Sequence, residues 1–402
     1  MISVDQAHSI VLSHQYEPAT VKVTLRQAYG KVLKDPVYAD RDFPPFNRVM
    51  MDGIAIQYNC YANGINTYIS EGIAAAGSPQ TELQVGDQCI EVMTGAMLPV
   101  GTNTVIPYEL LEKADNSFTI INNAAVKRGM HVHMQGFDVK SGTELLKYGQ
   151  LLEAPELAVC ASVGKSELHV ASLPKVVVIS TGNELVDVNE NPKPYQIRKS
   201  NVLALDAELQ QLGIMPELLH LPDDPDIIEN EIRSAIHEYD AIILSGGVSK
   251  GKFDHIPGVL HKLNIERHFH GVKQRPGKPF WFGTAKDGTV IFAFPGNPVA
   301  TYLCFQKYFK PWLFKSLGIE QKKLFARLEE DFSFKPELVY FLQVKIEIDE
   351  LGCISAMPIP GEGSGDHANL LKVDGFLELS AEQADFKKGE VYSFIPFRNF
   401  LY

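Results

Sequence analysis

From residue 174 to about 318, short apolar runs alternate with longer stretches whose apolar residues recur every three or four positions. The runs at 176–179, 241–244 and 290–294 have strand length and are bounded by turn residues. Between them, 200–212 carries Leu203, Leu205 and Leu209, with Ser200 in the N-cap position. Residues 225–238 open on a proline and place Ile228, Ile232 and Ile236 on one face, and 300–317 supplies a third helix. Such alternation predicts an α/β region built on a doubly wound parallel sheet.

Outside this region the pattern changes. Residues 3–33 show helical spacing around Val4, Ala7, Ile10 and Val11 and again near Leu25 and Val32, which predicts a mostly helical segment. Asp42-Phe43-Pro44-Pro45-Phe46 cannot continue a helix, because prolines remove donors and fix φ, so a boundary falls there. From 47 to about 136 the strand-like runs at 53–56, 89–92, 104–106 and 118–121 predict an all-β insert. Helical spacing returns at 156–161, and alternation over 339–348 predicts a small β-barrel after residue 324.

At 402 residues the chain is too long for one core, since single cores stop growing near about 250–300 residues. No apolar run approaches the ~20 residues of a membrane span, and the first residues lack the basic-then-apolar layout of a signal peptide. A net charge of −12 argues against a general nucleic-acid binder. Cys60, Cys89, Cys160, Cys304 and Cys353 are scattered and never spaced Cys-x-x-Cys, which suggests reduced core thiols in a cytoplasmic protein.

The candidate chemistry lies in the turns. Ser180-Thr181-Gly182-Asn183-Glu184 follows the first strand, Ser245-Gly246-Gly247-Val248-Ser249 the next, and Pro295-Gly296-Asn297-Pro298 the last. A further turn, Arg275-Pro276-Gly277-Lys278-Pro279, precedes apolar residues 280–282. Turns after parallel strands gather along one sheet edge, where open α/β folds bind ligands. Gly246 to Lys252 nearly spells a phosphate-binding loop, but Phe253 stands where that motif needs a hydroxyl, leaving a Gly-Gly turn that offers backbone amides to an anion. Glu184, Asp223, Asp224 and Asp254 each follow a strand candidate; gathered on one edge they would repel and call for a cation, and oxygen ligands beside phosphate suit Mg2+. Arg275 and Lys278, braced by prolines, bring the opposite charge for an oxyanion. Each of these groups also has a plain reading as a solvated loop charge or helix cap. His131 and His133 alternate on a strand and read as exposed histidines.

Taken in order, these turns resemble the molybdopterin molybdenumtransferase family, which includes bacterial MoeA and the E domain of gephyrin. The resemblance also covers Pro44-Pro45-Phe46, Met51-Asp52-Gly53-Ile54-Ala55, Thr94-Gly95-Ala96, Gly136-Phe137-Asp138 and Ser200-Asn201. It implies a helical linker domain (1–45 and 140–173, whose first helix can pack on the α/β domain) and a β lid inserted into it (46–139). It further implies an α/β molybdopterin-binding domain (174–320) and a C-terminal β-barrel (321–402). The implied assembly is a homodimer whose site is shared between subunits, with molybdopterin adenylyltransferase and molybdoenzymes as partners and neither nucleic acid nor membrane.

The implied reaction is Mg2+-dependent insertion of molybdate into adenylylated molybdopterin with release of AMP. On this resemblance Glu184, Asp224 and Asp254 hold the cation, with Lys278 and Asp52 also catalytic. Thr94, Asp138, Thr181, Gly246, Gly247, Ser249, Arg275, Pro295, Asn297, Pro298 and Ser364 contact the cofactor. Gln343 stands where an arginine is common in the family, Lys252 where an acid is common, and Arg48 where a small or amide residue is common. Two rivals stay open: a non-catalytic molybdopterin-binding scaffold, and a molybdopterin adenylyltransferase.

Overall fold

The computed structural model describes every residue except 122–123, 249–253, 364 and 399–402. Its centre is a six-stranded sheet in the order Glu217–Leu221, Val176–Thr181, Ala241–Ser245, Val290–Phe294, Trp281–Thr284, Glu266–His270. The first four strands run parallel, and the last two are antiparallel additions. The sheet is therefore mixed where the pattern alone predicts a parallel one; the ten-residue helical crossover that a parallel neighbour needs does not fit between residues 284 and 290.

Alternation along the strands assigns the two faces. Val176, Val178 and Ile243 point into one core with Leu205, Leu209, Leu303 and Trp312, and Val177, Ile179, Ile242 and Leu244 into the other with Ile228, Ile232 and Val259. The helices Asn201–Gln211 and Pro298–Cys304 cover the first face, and Pro225–Glu238 and Ile256–Lys262 the second. The N-terminal helix Val4–Ser13 buries Val4, Ala7 and Val11 in the first core.

The helical expectation for residues 3–33 holds only to Ser13. Beyond it, Thr20–Thr24 alternates polar and apolar residues, β-branched except at Lys22, and pairs antiparallel with Glu167–Ala171. A period of two over five residues outcompetes the sparse helical spacing at Leu25 and Val32. The linker is completed by the helix Ala154–Ser162 and the short pairing of Val37–Tyr38 with Glu144–Leu146. The insert is a six-stranded sheet in which Gly53–Ile56 lies between Thr104–Pro107 and Cys89–Val92.

After residue 324 the strands Leu324–Leu328, Val339–Ile348, Ile354–Pro358, Gly375–Leu379 and Val391–Pro396 close into a five-strand barrel around Leu342, Val344, Leu377 and Phe394. Among the cysteines, Cys89, Cys160 and Cys304 are buried as core thiols while Cys353 is exposed. No helix of the described residues is long and apolar enough to cross a membrane.

Candidate active site

The parallel strands deliver their C-terminal turns to one edge. Trp281–Thr284 runs antiparallel to Val290–Phe294, so it begins at that same edge and brings the preceding basic turn with it. Two adjoining hollows open there. The larger, about 980 Å³, is bordered by Thr181, Gly182, Glu184, Asp223, Gly246 and Gly247, with Asp254 and Asn201. The smaller, about 400 Å³, lies between Arg275, Lys278 and the barrel residues Tyr340, Gln343 and Glu362. Pro279, Pro295 and Asn297 border both, and Pro298 the larger. The acids and the basic pair thus occupy neighbouring compartments instead of one crevice.

In the larger hollow the backbone comes close to its neighbours. Gly247 has φ +69, and a Cβ there would sit 2.9 Å from Thr181 Oγ1 and 2.8 Å from Ile256 Cγ1. Thr181 is 5% exposed, yet its Oγ1 has no hydrogen-bond partner among the described residues. An unsatisfied buried hydroxyl costs about 1–3 kcal/mol, which a ligand atom could recover. Asn201 Nδ2 donates to Gly296 O at 2.8 Å and to Ser245 Oγ at 3.0 Å, tying two of the turns together. Asn183 N donates to Asp223 Oδ2 at 3.0 Å, and Asp223 N donates back to Asn183 Oδ1 at 3.2 Å. A side chain at Gly182 would collide with the Glu184 carboxylate, which lies folded over that glycine.

Asp224 does not border either hollow. Its Oδ1 accepts from Asp226 N at 2.9 Å and Ile227 N at 3.2 Å, capping the helix Pro225–Glu238, and Asp223 takes the position in the cleft that the sequence assigns to Asp224. Nor do the acids form a ready-made cage: among the described residues no group of three or more His, Cys, Asp or Glu could hold a metal ion. Like charges facing water spread apart unless a cation gathers them. Ser249, Ser364 and Lys252 lie outside the described residues; next to them, Val248 and Gly365 border the larger hollow and Gly363 the smaller.

The second hollow holds a further unsatisfied polar group. Gln343 is buried, and its Oε1 has no partner among the described residues. The Arg275 guanidinium stacks 5.7 Å from the Phe334 ring centroid, which steers it along the barrel wall. Arg275–Pro276 is a cis peptide.

Asp52, Thr94 and Asp138 sit on the insert and border neither hollow of their own chain. Thr94 donates to Asp52 Oδ1 from its N at 2.6 Å and its Oγ1 at 2.8 Å, holding that carboxyl below its usual range. His133 is not the exposed histidine expected: Arg48 donates to its Nδ1 at 3.2 Å, and its Nε2 lies 2.9 Å from Asp138 Oδ1. Sequence reasoning missed Arg198 and Lys199, cations that border the larger hollow, Lys199 paired there with Asp187 Oδ1 at 2.7 Å. The signal available was a basic pair directly before Ser200-Asn201. It also missed Tyr340 and Glu362, which no local pattern marks, because only barrel closure brings them here.

Comparisons with known proteins agree along the whole chain. Residues 2–164 match the MoeA N-terminal region (domain I and II), 177–315 the probable molybdopterin binding domain, and 326–397 the MoeA C-terminal region (domain IV). A molybdopterin molybdenumtransferase of Synechocystis sp. is 39% identical over 396 residues, spanning 98% of this chain and 99% of that protein. One from Staphylococcus epidermidis is 30% identical over 404 residues, spanning 98% and 95%. Two structures of the molybdopterin biosynthesis MoeA protein from Pyrococcus horikoshii align with TM-scores of 0.84 and 0.82 at 29% and 26% identity. These alignments cover 100% and 99% of this chain and 100% of each of those chains. With the three regions matched in order along the chain and relatives alike over nearly its full length, the chain belongs to the molybdopterin molybdenumtransferase family, transferases of molybdenum cofactor biosynthesis.

Proposed function

We propose that the protein works as a cytoplasmic homodimer, inserting molybdate into adenylylated molybdopterin with Mg2+ and releasing AMP. The observation that carries this reading is that Glu184, Asp223 and Asp254 border one hollow and Arg275 and Lys278 the next, across the shared residues Pro295 and Asn297. A tetrahedral oxyanion can then lie against the cations, beside a phosphoanhydride whose own negative charge would be joined to the acids through a divalent cation.

Glu184, Asp223 and Asp254 would hold Mg2+. Their open spacing fits, because this ion takes one or two carboxylates plus substrate phosphates and seldom a closed protein cage. When bound, it supplies Lewis acidity to the phosphate oxygens. Glu184 would also orient the attacking water. Gly246 N is committed to Phe294 O at 3.1 Å, which leaves the amide of Gly247 and the unpartnered Thr181 hydroxyl to face the ligand as neutral donors. Arg275 and Lys278 hold molybdate oxygens, with the Gln343 amide as a neutral neighbour. Asp52, Thr94 and Asp138 would reach the cleft of the partner subunit; their absence from the borders of their own cleft supports that placement.

The test is to incubate purified protein with adenylylated molybdopterin, Mg2+ and molybdate and to follow AMP. We expect molybdate-stimulated release, reduced about 10²-fold by Lys278→Ala and about tenfold or more by Glu184→Gln. If molybdate does not stimulate AMP release in the unmodified protein, the scaffold reading takes precedence.

A further inference from the structure

The basic turn rests on a buried polar cluster for which the reaction above has no use. Gln274, immediately before the turn, is 0% exposed. Its Nε2 donates to Pro276 O at 3.1 Å, inside the turn, and its Oε1 accepts from the Tyr308 hydroxyl. Burial raises the Tyr308 phenol well above its ordinary pKa, which keeps the proton it donates. Cys304 Sγ lies 3.8 Å from Gln274 Nε2. Gly277 (φ +89) lies directly on this cluster: a Cβ there would be 2.9 Å from Cys304 Sγ.

A buried amide is expensive unless satisfied, and apolar side chains would fill this space at less cost. The surroundings are indeed apolar, with the Phe280 ring 4.7 Å from that of Tyr308. The polar residue must therefore be doing something packing alone does not, and the carbonyl it holds belongs to the turn that carries Arg275 and Lys278.

The cluster also sits at a junction. Tyr308 belongs to Phe305–Phe309, a π-helical stretch within the last helix of the α/β region. From the same stretch, Lys307 Nζ pairs with Glu378 Oε2 of the barrel at 2.7 Å. The backbone of Gln274 and Arg275 pairs in parallel with Val339 and Tyr340 of the barrel. On the other side, Ile2 bridges Val272, and Lys273 N donates to Ile2 O at 2.8 Å. The turn is clamped by strands at its base, and Gln274 is the side chain that reaches from this base into it.

We infer that Gln274, which borders the second hollow with its amide committed to Pro276 O and the Tyr308 hydroxyl, is a positioning residue: it fixes where Arg275 and Lys278 project and so sets the affinity of that hollow for a tetrahedral oxyanion. The inference rests on the proposed function, which places molybdate in that hollow. A purely structural role would lower stability and leave oxyanion affinity unchanged.

The experiment measures molybdate binding to the full-length protein by calorimetry, and the molybdate dependence of AMP release at saturating adenylylated molybdopterin. The proteins compared are the unmodified one, Gln274→Met (similar in size, without the amide), Tyr308→Phe and the double variant. Expected is a rise of about tenfold in the molybdate dissociation constant and half-saturation for Gln274→Met, with the maximal rate within about twofold. Tyr308→Phe moves both in the same direction, and the double variant does no worse than the larger single effect, as linked groups require. Unmodified affinity in a folded Gln274→Met protein overturns the inference, as does a loss confined to the maximal rate. If Gln274→Met does not fold, Tyr308→Phe decides on the same criteria. Molybdate binding without AMP release in the unmodified protein defeats the proposed function while the affinity comparison still decides the role of Gln274. Absence of molybdate binding defeats both.

Discussion

At Asp223 and Asp224 the chain turns from a strand into a helix, and N-cap geometry at Asp224 commits its carboxylate to the helix amides while Asp223 faces the Gly182 turn. The two acids should therefore separate experimentally. Asp224→Ala is expected to cost about 1 kcal/mol, within the ~0.5–2 kcal/mol range for such caps, seen as a lower urea midpoint with AMP release retained. Asp223→Asn should keep the midpoint and lose AMP release. Retained release in Asp223→Asn would return the metal role to its neighbour. Gln343 offers a gain in place of a loss. A cation added beside Arg275 and Lys278 raises the positive field, so Gln343→Arg should lower the half-saturating molybdate concentration. A titration showing no change or a rise would place the oxyanion elsewhere.

At the scale of elements, what could be read in the sequence was what local periodicity and turn chemistry determine. The strand Val290–Phe294 and the helix Pro225–Glu238 stand where the pattern puts them, because a full apolar run and a proline start are local signals. The barrel strand Val339–Ile348 is equally plain from its alternation. Thr20–Thr24 was hidden because its partner lies near residue 167, so its pairing depends on distant chain. The direction of Trp281–Thr284 was hidden too, since a strand's sequence does not state which way its neighbour runs. In the site, the Gly- and Pro-rich turns were legible because φ > 0 and close backbone approach restrict residue choice. The walls supplied by Tyr340, Glu362 and Lys199 were not, because closure and register, not local spacing, bring them in.

The whole molecule carries a pH dependence that follows from burial. His8, His220 and His268 are each depressed below the ordinary value of 6.5, first by burial and then by Lys307, Lys199 and His14 respectively. Opposing carboxylates at Glu378 and Asp5, at Asp187 and Glu184, and at Glu266 offset this only in part. The unfolded chain then binds more protons than the folded one as pH falls through and below about 6.5, so stability is full above that value and declines toward the lower folded pKa values. Thermal unfolding at about pH 7.5 and about pH 5.5 should show a lower midpoint at the acid end, and His268→Gln should narrow the gap. Equal midpoints in the unmodified protein would mean these imidazoles protonate without penalty.

The ladder that joins Gln274 and Arg275 to the barrel means that neither unit owns a complete wall of the second hollow. On the proposed function, anion preference would therefore be inherited from two stretches of gene at once. A chimaera that exchanges everything after residue 324 for the matching part of a relative would bring in a foreign counterpart of Gln343 and of the loop at Gly361. With Arg275 and Lys278 unchanged on the other side, such a hybrid would bind oxyanions with a preference that matches neither parent, if the proposed function holds.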